Sequence, residues 1–207
     1  MPTFSPPRDL AAEEHDAAAP VVLVFEEQGY SLAELDALAA GLARRLRDRG
    51  VAPGCRVALM SSNRPEFVVA VRAIWQLGAA VVLISPAYKR GEVAHALAVT
   101  GARHAVGDSA VLADLLPMVS LDDPIAPTPP DPVRSDPDAE AVLVFSSGTT
   151  GMPKAVRHTQ ASFSAAVRHW RAALELSAAD RIQVVTPPSH ILGLLNIVTA
   201  LDAGAWV

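Results

Sequence analysis

The sequence predicts an α/β fold in which mixed, largely parallel sheets are flanked by helices. Three observations lead there. Apolar runs of strand length alternate with helix-length stretches, the pattern of right-handed βαβ units. The run at residues 80–84 is apolar and largely β-branched without alternation, as in a parallel strand covered on both faces. Hydrophobic residues make up 51% of the 207 positions and the mean hydropathy is +0.28, so the chain can bury a sizeable core within one domain or a domain and a half.

Taken in order, residues 1–18 read as a loose tail with acids and prolines, lacking the basic start and apolar core of a signal peptide. A first α/β subdomain is expected over 19–116. It starts with a strand at 21–25 and a turn at 26–29. A helix follows, with Ser31 and Glu34 as a capping box, leucines at 32, 35, 38, 42 and 46 on one face and Gly50 as the stop. Arg44, Arg45, Arg47 and Arg49 near its end suit a solvated face that complements the helix dipole. Next come a strand at 56–60, a turn at 61–63, a helix from about 65 to 77, the strand at 80–84, a helix at 90–100 and a strand at 102–106. The apolar region 67–84 is interrupted by Arg72 and Gln76, which makes it a buried helix and strand rather than a membrane span. Cys55 is the single cysteine, set in an apolar run with no obvious base beside it, and reads as a structural thiol.

Residues 117–138 contain seven prolines among twenty-two positions and are expected to form an extended surface connection. From 139 to 207 a second α/β subdomain is expected to begin. It holds a strand ending at Phe145, a helix at 161–174, a strand at 182–186, an apolar helix after His190, and the start of another buried strand at 203–207. The net charge of −5 and a pI near 5.6 provide no basic face for nucleic acid. The histidines show no metal-ligand spacing with a cysteine or acidic partner.

The stretch VLVFSSGTTGMPKAV, residues 142–156, carries the chemistry. A short apolar strand runs into Ser146, Ser147, Gly148, Thr149, Thr150 and Gly151, then Pro153 and Lys154. Glycines let backbone N–H groups turn toward an anion, hydroxyls add donors, and the lysine adds positive charge. This loop suits the β- and γ-phosphates of a nucleotide. It is not a Walker A loop: Lys154 follows proline, Ala155 stands where a Mg²⁺-binding Ser or Thr belongs, and the glycines are too close together.

SSGTTGMPK resembles the (S/T)SGTTGxPKG signature of the adenylate-forming superfamily, which contains acyl-CoA synthetases, luciferases and peptide-synthetase adenylation domains. Two further stretches extend the likeness. Ser85, Pro86, Ala87 and Tyr88 are similar to the family's NPxY, with serine for asparagine, but Pro86 after a strand and packing of Tyr88 on the sheet explain them without any chemistry, and that is the preferred reading. Pro187, His190 and Gly193 resemble its P-x-x-H-x-x-G motif. From spacing alone His190 reads as a packing residue beside a helix start; the resemblance instead implies a catalytic imidazole near the acyl carbonyl and α-phosphate.

The resemblance implies an AMP-forming acid–thiol ligase of the acyl-CoA synthetase type, cytoplasmic and of the kind found in fatty acid metabolism. A small carboxylic acid attacks Mg·ATP to give acyl-AMP and pyrophosphate, and coenzyme A then takes the acyl group as a thioester. Ser146, Ser147, Gly148, Thr149, Thr150, Gly151 and Lys154 would hold the phosphates, and Thr150 would approach Mg²⁺. SGTTG leans toward the CoA ligases over the SGSTG of peptide synthetases; Ala155 and Gln160 depart from the glycine and histidine common in the family. The family's adenine, ribose, hinge and C-terminal lysine motifs are not found before Val207. The 207 residues are therefore expected to be an N-terminal portion of a larger ligase, inactive alone. The alternatives are a peptide-synthetase or luciferase-type adenylation domain, or a non-catalytic nucleotide-binding protein.

Overall fold

The computed structural model describes residues 20–132, 136–146 and 152–207. The described chain begins with a hairpin, β1 (Val21–Phe25) and β2 (Gln28–Ser31), followed by α1 (Leu32–Asp48), β3 (Arg56–Met60), α2 (Pro65–Gln76) and β4 (Ala80–Leu83). It continues with α3 (Arg90–Thr100), β5 (His104–Gly107), α4 (Ala110–Ala113) and β6 (Met118–Ser120). It ends with β7 (Glu140–Ser146), β8 (Lys154–Thr159), α5 (Gln160–Ala173) and α6 (Ile191–Ala203).

The central sheet has six strands in the order β6-β5-β3-β4-β7-β8. All neighbours are parallel except β7 and β8, which form an antiparallel pair at one edge. Side chains alternate across it, so each face builds its own core. Val57, Leu59, Val81 and Leu83 point to the side covered by α1, α2, α5 and α6. Ala58, Met60, Val82 and Ile84 point to the side covered by α3 and α4. This double coverage is why 80–84 shows no polar alternation.

Local chemistry fixes the helix starts as expected. The Ser31 hydroxyl accepts from the Glu34 N–H at 3.2 Å, and the Glu34 carboxylate accepts from the Ser31 N–H at 2.7 Å, a complete capping box on α1. Pro65 opens α2, where its missing N–H costs nothing. The Trp75 indole N–H donates to the Ala141 carbonyl at 2.8 Å, and its ring meets Phe163 at 5.5 Å, which ties α2 to β7 and α5.

Several elements differ from the sequence expectation. The turn expected at 26–29 shrinks to Glu26 and Glu27, with Glu26 at φ 55°, because Gln28 onward pairs back on β1 as β2. The proline-rich connection begins with β6, three residues that ladder along β5 before the prolines take over. The stretch directly after Pro153 forms β8, an edge strand that no periodicity announced. Residues 182–186 do not form the expected strand. Arg181 bridges Trp206 and the Ile182 N–H donates to the Trp206 carbonyl at 2.7 Å. Val207 is turned to β1, where it exchanges hydrogen bonds with Val22 and Val24. No rung beyond Ile182 has a strand partner among the described residues.

Candidate functional site

In a doubly covered sheet, ligands settle beyond the carboxyl ends of strands where neighbouring connections leave in opposite directions. That point lies between β4 and β7. After β4 the chain crosses through α3 to β5 on the far side of β3, whereas after β7 it turns outward to β8. The two stretches with family-like motifs, at 85–88 and after Phe145, start at this break.

The stems of the glycine-rich loop are defined by the antiparallel ladder. Phe145 faces Ala155 and Ser146 faces Lys154, so the serine and the lysine form the last rung before the loop. Both are exposed, as a site for a hydrated polyanion requires. Ser147, Gly148, Thr149, Thr150 and Gly151 lie outside the described residues. So does the expected approach of Thr150 to Mg²⁺.

A cleft of about 310 Å³ opens beside these stems, lined by Leu83, Ser85, Tyr88, Phe145, Thr186, Pro187, Ser189 and His190. Three separate parts of the chain meet there: the end of β4 with its following turn, the end of β7, and the lead-in to α6. Tyr88 packs edge-on against Phe145, with ring centroids 6.3 Å apart. It therefore packs on the sheet as its sequence context suggested, but it also walls the cleft. Burial, reinforced by the Glu92 carboxylate, raises its phenol above the ordinary value, so Tyr88 stays a neutral hydroxyl at physiological pH.

His190 is the N-cap of α6 and is exposed. Its Nδ1 accepts from the Leu192 N–H at 3.2 Å, and the His190 backbone N–H donates to the Pro187 carbonyl at 2.9 Å. With Nδ1 committed as an acceptor, the proton of the neutral ring sits on Nε2, the nitrogen left to meet a ligand. The cleft adjoins the N-terminus of a 13-residue helix, where peptide dipoles favour negative charge. Gly193 explains the motif's spacing: a Cβ there would stand 2.2 Å from the Pro187 oxygen, so only glycine lets the 186–187 backbone fold onto the first turn of α6.

The fold thus brings Ser146, Lys154 and His190 to one end of the sheet. Lys154 is one rung beyond the cleft rather than in its lining. Sequence reasoning missed Thr186 and Ser189 as wall residues; their position beside Pro187 and His190 was the available signal. Among the described residues, no group of three or more His, Cys, Asp or Glu side chains could hold a metal ion. A phosphate-bound Mg²⁺ needs few protein ligands and does not require such a group.

Comparison with known proteins gives this end of the sheet a context. The profile of the AMP-binding enzyme family matches residues 9–207. The chain is 31% identical over 209 residues to the salicyl-AMP ligase / salicyl-S-ArCP synthetase of Mycobacterium tuberculosis, covering 86% of this chain and 36% of that protein. It is 31% identical over 195 residues to the probable non-canonical nonribosomal peptide synthetase CymA of Salinispora arenicola, covering 93% of this chain and 2% of that one. The O-succinylbenzoate coenzyme A synthetase of Bacillus subtilis, solved in complex with AMP, superposes with a TM-score of 0.83 at 27% identity. That match spans 91% of this chain and 41% of the synthetase. The same synthetase in complex with ATP and a magnesium ion gives a TM-score of 0.80 at 25% identity, covering 90% of this chain and 52% of that one. The chain therefore spans well under half the length of the curated relatives it matches. With the glycine-rich hairpin and the His190 cleft at the carboxyl end of a matching sheet, and a family profile running through nearly all its length, the chain belongs to the AMP-binding, adenylate-forming enzymes.

Proposed function

We propose that this chain supplies the phosphate-holding half of an ATP-dependent acid activation, in which a carboxylate and Mg·ATP give an acyl adenylate and pyrophosphate. The observation that carries the reading is the meeting of the Ser146–Lys154 rung with the His190 cleft at the break between β4 and β7. Lys154, Ser146 and the hydroxyls and N–H groups of 147–151 hold the β- and γ-phosphates in line for departure. The Nε2 of His190 and the N-terminus of α6 stabilise charge that builds on the α-phosphate and the acyl oxygen. Thr150 is the loop residue assigned to Mg²⁺, which neutralises phosphate charge when bound. The acyl group sits in the cleft against Tyr88 and Phe145.

In the second half-reaction coenzyme A is the proposed acceptor, in keeping with the SGTTG spelling and the fold match to a coenzyme A synthetase. A carrier-protein thiol is the second reading, favoured by the sequence match to a peptide synthetase. A cytoplasmic location is part of the proposal; no helix among the described residues is long and apolar enough to cross a membrane.

The test is exchange of labelled pyrophosphate into ATP by the intact gene product, with short, medium, long-chain and aromatic acids in parallel. Exchange with one acid class is expected, with kcat/KM for ATP falling at least about a hundredfold in Lys154→Ala, the scale seen when one charged transition-state contact is lost. ATP binding without exchange for any acid would leave a nucleotide-binding protein and end the proposal.

A further inference from the structure

The segment formed by α3 and the turn before it touches both stems of the phosphate loop. On the incoming stem, Tyr88 packs edge-on against Phe145, one residue before Ser146. On the outgoing stem, the half-buried His95 of α3 lies with Nε2 3.0 Å from the Pro153 carbonyl, one residue before Lys154. A carbonyl only accepts, so Nε2 carries the proton and donates. Between the two contacts runs the start of α3, whose first turn is held by the Glu92 carboxylate accepting from the Lys89 N–H at 2.9 Å. On the same side, Val93 and Ala96 bury this helix against the sheet.

This contact matters because β8 is an edge strand. Among the described residues its strand partner is β7 alone, and Met152 and Val156 on either side of the stem are exposed. Proline has no N–H, so Pro153 cannot donate a ladder bond, and only its carbonyl can tie it down. The His95 bond is what ties the Pro153 carbonyl to the layer beneath.

We propose that α3 braces the phosphate loop from below, and that His95, through the Pro153 carbonyl, is a positioning residue that sets where Lys154 meets the phosphates of ATP. The ATP part of this inference rests on the reading given under Proposed function. His95 touches neither ATP nor the acid; it acts by restricting the stem, so its loss should weaken ATP use and leave acid recognition alone.

Two substitutions in the intact gene product decide it. His95→Phe keeps the ring volume and removes the donor, whereas His95→Gln returns an N–H at similar reach. The expected result for His95→Phe is a KM for ATP raised about three- to tenfold, the scale of one lost neutral hydrogen bond. KM for the acid and the melting temperature should hold near wild type, and His95→Gln should recover most of the loss. Limited trypsinolysis supplies a readout independent of activity: cleavage after Lys154 should quicken in the Phe variant and return toward wild type in the Gln variant. Unchanged KM and unchanged cleavage in His95→Phe would overturn the proposal. So would a fall in melting temperature with equal changes in both KM values, which marks a general structural role. Absence of acid-dependent exchange in the wild type defeats the reading of the site, while the cleavage rates still decide the brace.

Discussion

Gly193 shows how one atom governs the candidate site. Its missing Cβ leaves room for the Pro187 oxygen, which would otherwise stand at 2.2 Å, and for the Thr186 oxygen at 2.8 Å. Both contacts are backbone, so they cannot swing aside as a side chain would. Gly193→Ala is expected to destabilise the fold by about 1–3 kcal/mol, measured by urea denaturation, because the lead-in to α6 must shift to relieve overpacking. The same shift moves His190, whose backbone N–H bonds the Pro187 carbonyl, so acid-dependent exchange should fall further than stability alone explains. At this scale the sequence speaks unevenly. Lys154 and Ser146 stand out by residue type and spacing, whereas His190 reads from spacing alone as a packing residue and is singled out only by the family resemblance; the fold brings all three to one end of the sheet. Thr186 and Ser189 did not stand out, because a hydroxyl beside a proline has many ordinary uses; only the turn that Gly193 permits makes them a wall.

Among the elements, β8 is the one whose absence from the sequence reading has the clearest physical cause. KAVRHT lacks a sustained apolar alternation, and an edge strand needs one paired side rather than two buried faces. Its position is set instead by long-range partners, and Glu140 at the base of β7 gathers them. Arg56 of β3 donates two bonds to the Glu140 carboxylate, at 2.6 and 2.7 Å, and a third, at 2.6 Å, to the Thr100 carbonyl that ends α3. Arg157 of β8 adds a bond at 3.1 Å. The Arg56 guanidinium holds the Glu140 carboxyl below its ordinary value, with Arg157 assisting against partial burial. Since the folded value is the lower one, this link stabilises the fold above the unfolded carboxyl value and is lost as pH falls through the folded value. Glu140→Gln should therefore cost about 1–2 kcal/mol near neutral pH, the scale for charge-assisted bonds at a partly exposed pair. The gap to wild type should close in acid, as denaturation midpoints across a pH series would show. The same logic of distant partners explains β6, which pairs with β5 at the sheet edge and is hidden in sequence by the prolines that follow it.

For the whole molecule, the sheet order decides where chemistry can occur. The alternation of strands and helices made a largely parallel sheet legible, and the buried run at 80–84 made its double coverage legible. The order β6-β5-β3-β4-β7-β8 was not, because strand neighbours depend on which helices cross which face, and local periodicity carries no such information. That order creates the break between β4 and β7 and so joins two motifs far apart in sequence into one site. A second cavity, of about 350 Å³, lies near Arg64, Asp122 and Asp123, away from the β4–β7 break. Its Glu66, Asp122 and Asp123 carboxylates surround Arg64, which is already paired with two of them, so it disfavours phosphates and serves as the control site. The most direct measurement is an amide-resolved NMR titration of the chain with millimolar Mg·ATP. Perturbations concentrated at Ser146, Lys154, Tyr88 and His190, and greatly reduced in Lys154→Ala, are the predicted result. Perturbations gathered around Arg64 and Asp122, or unchanged by loss of the lysine, would contradict the assignment of the site.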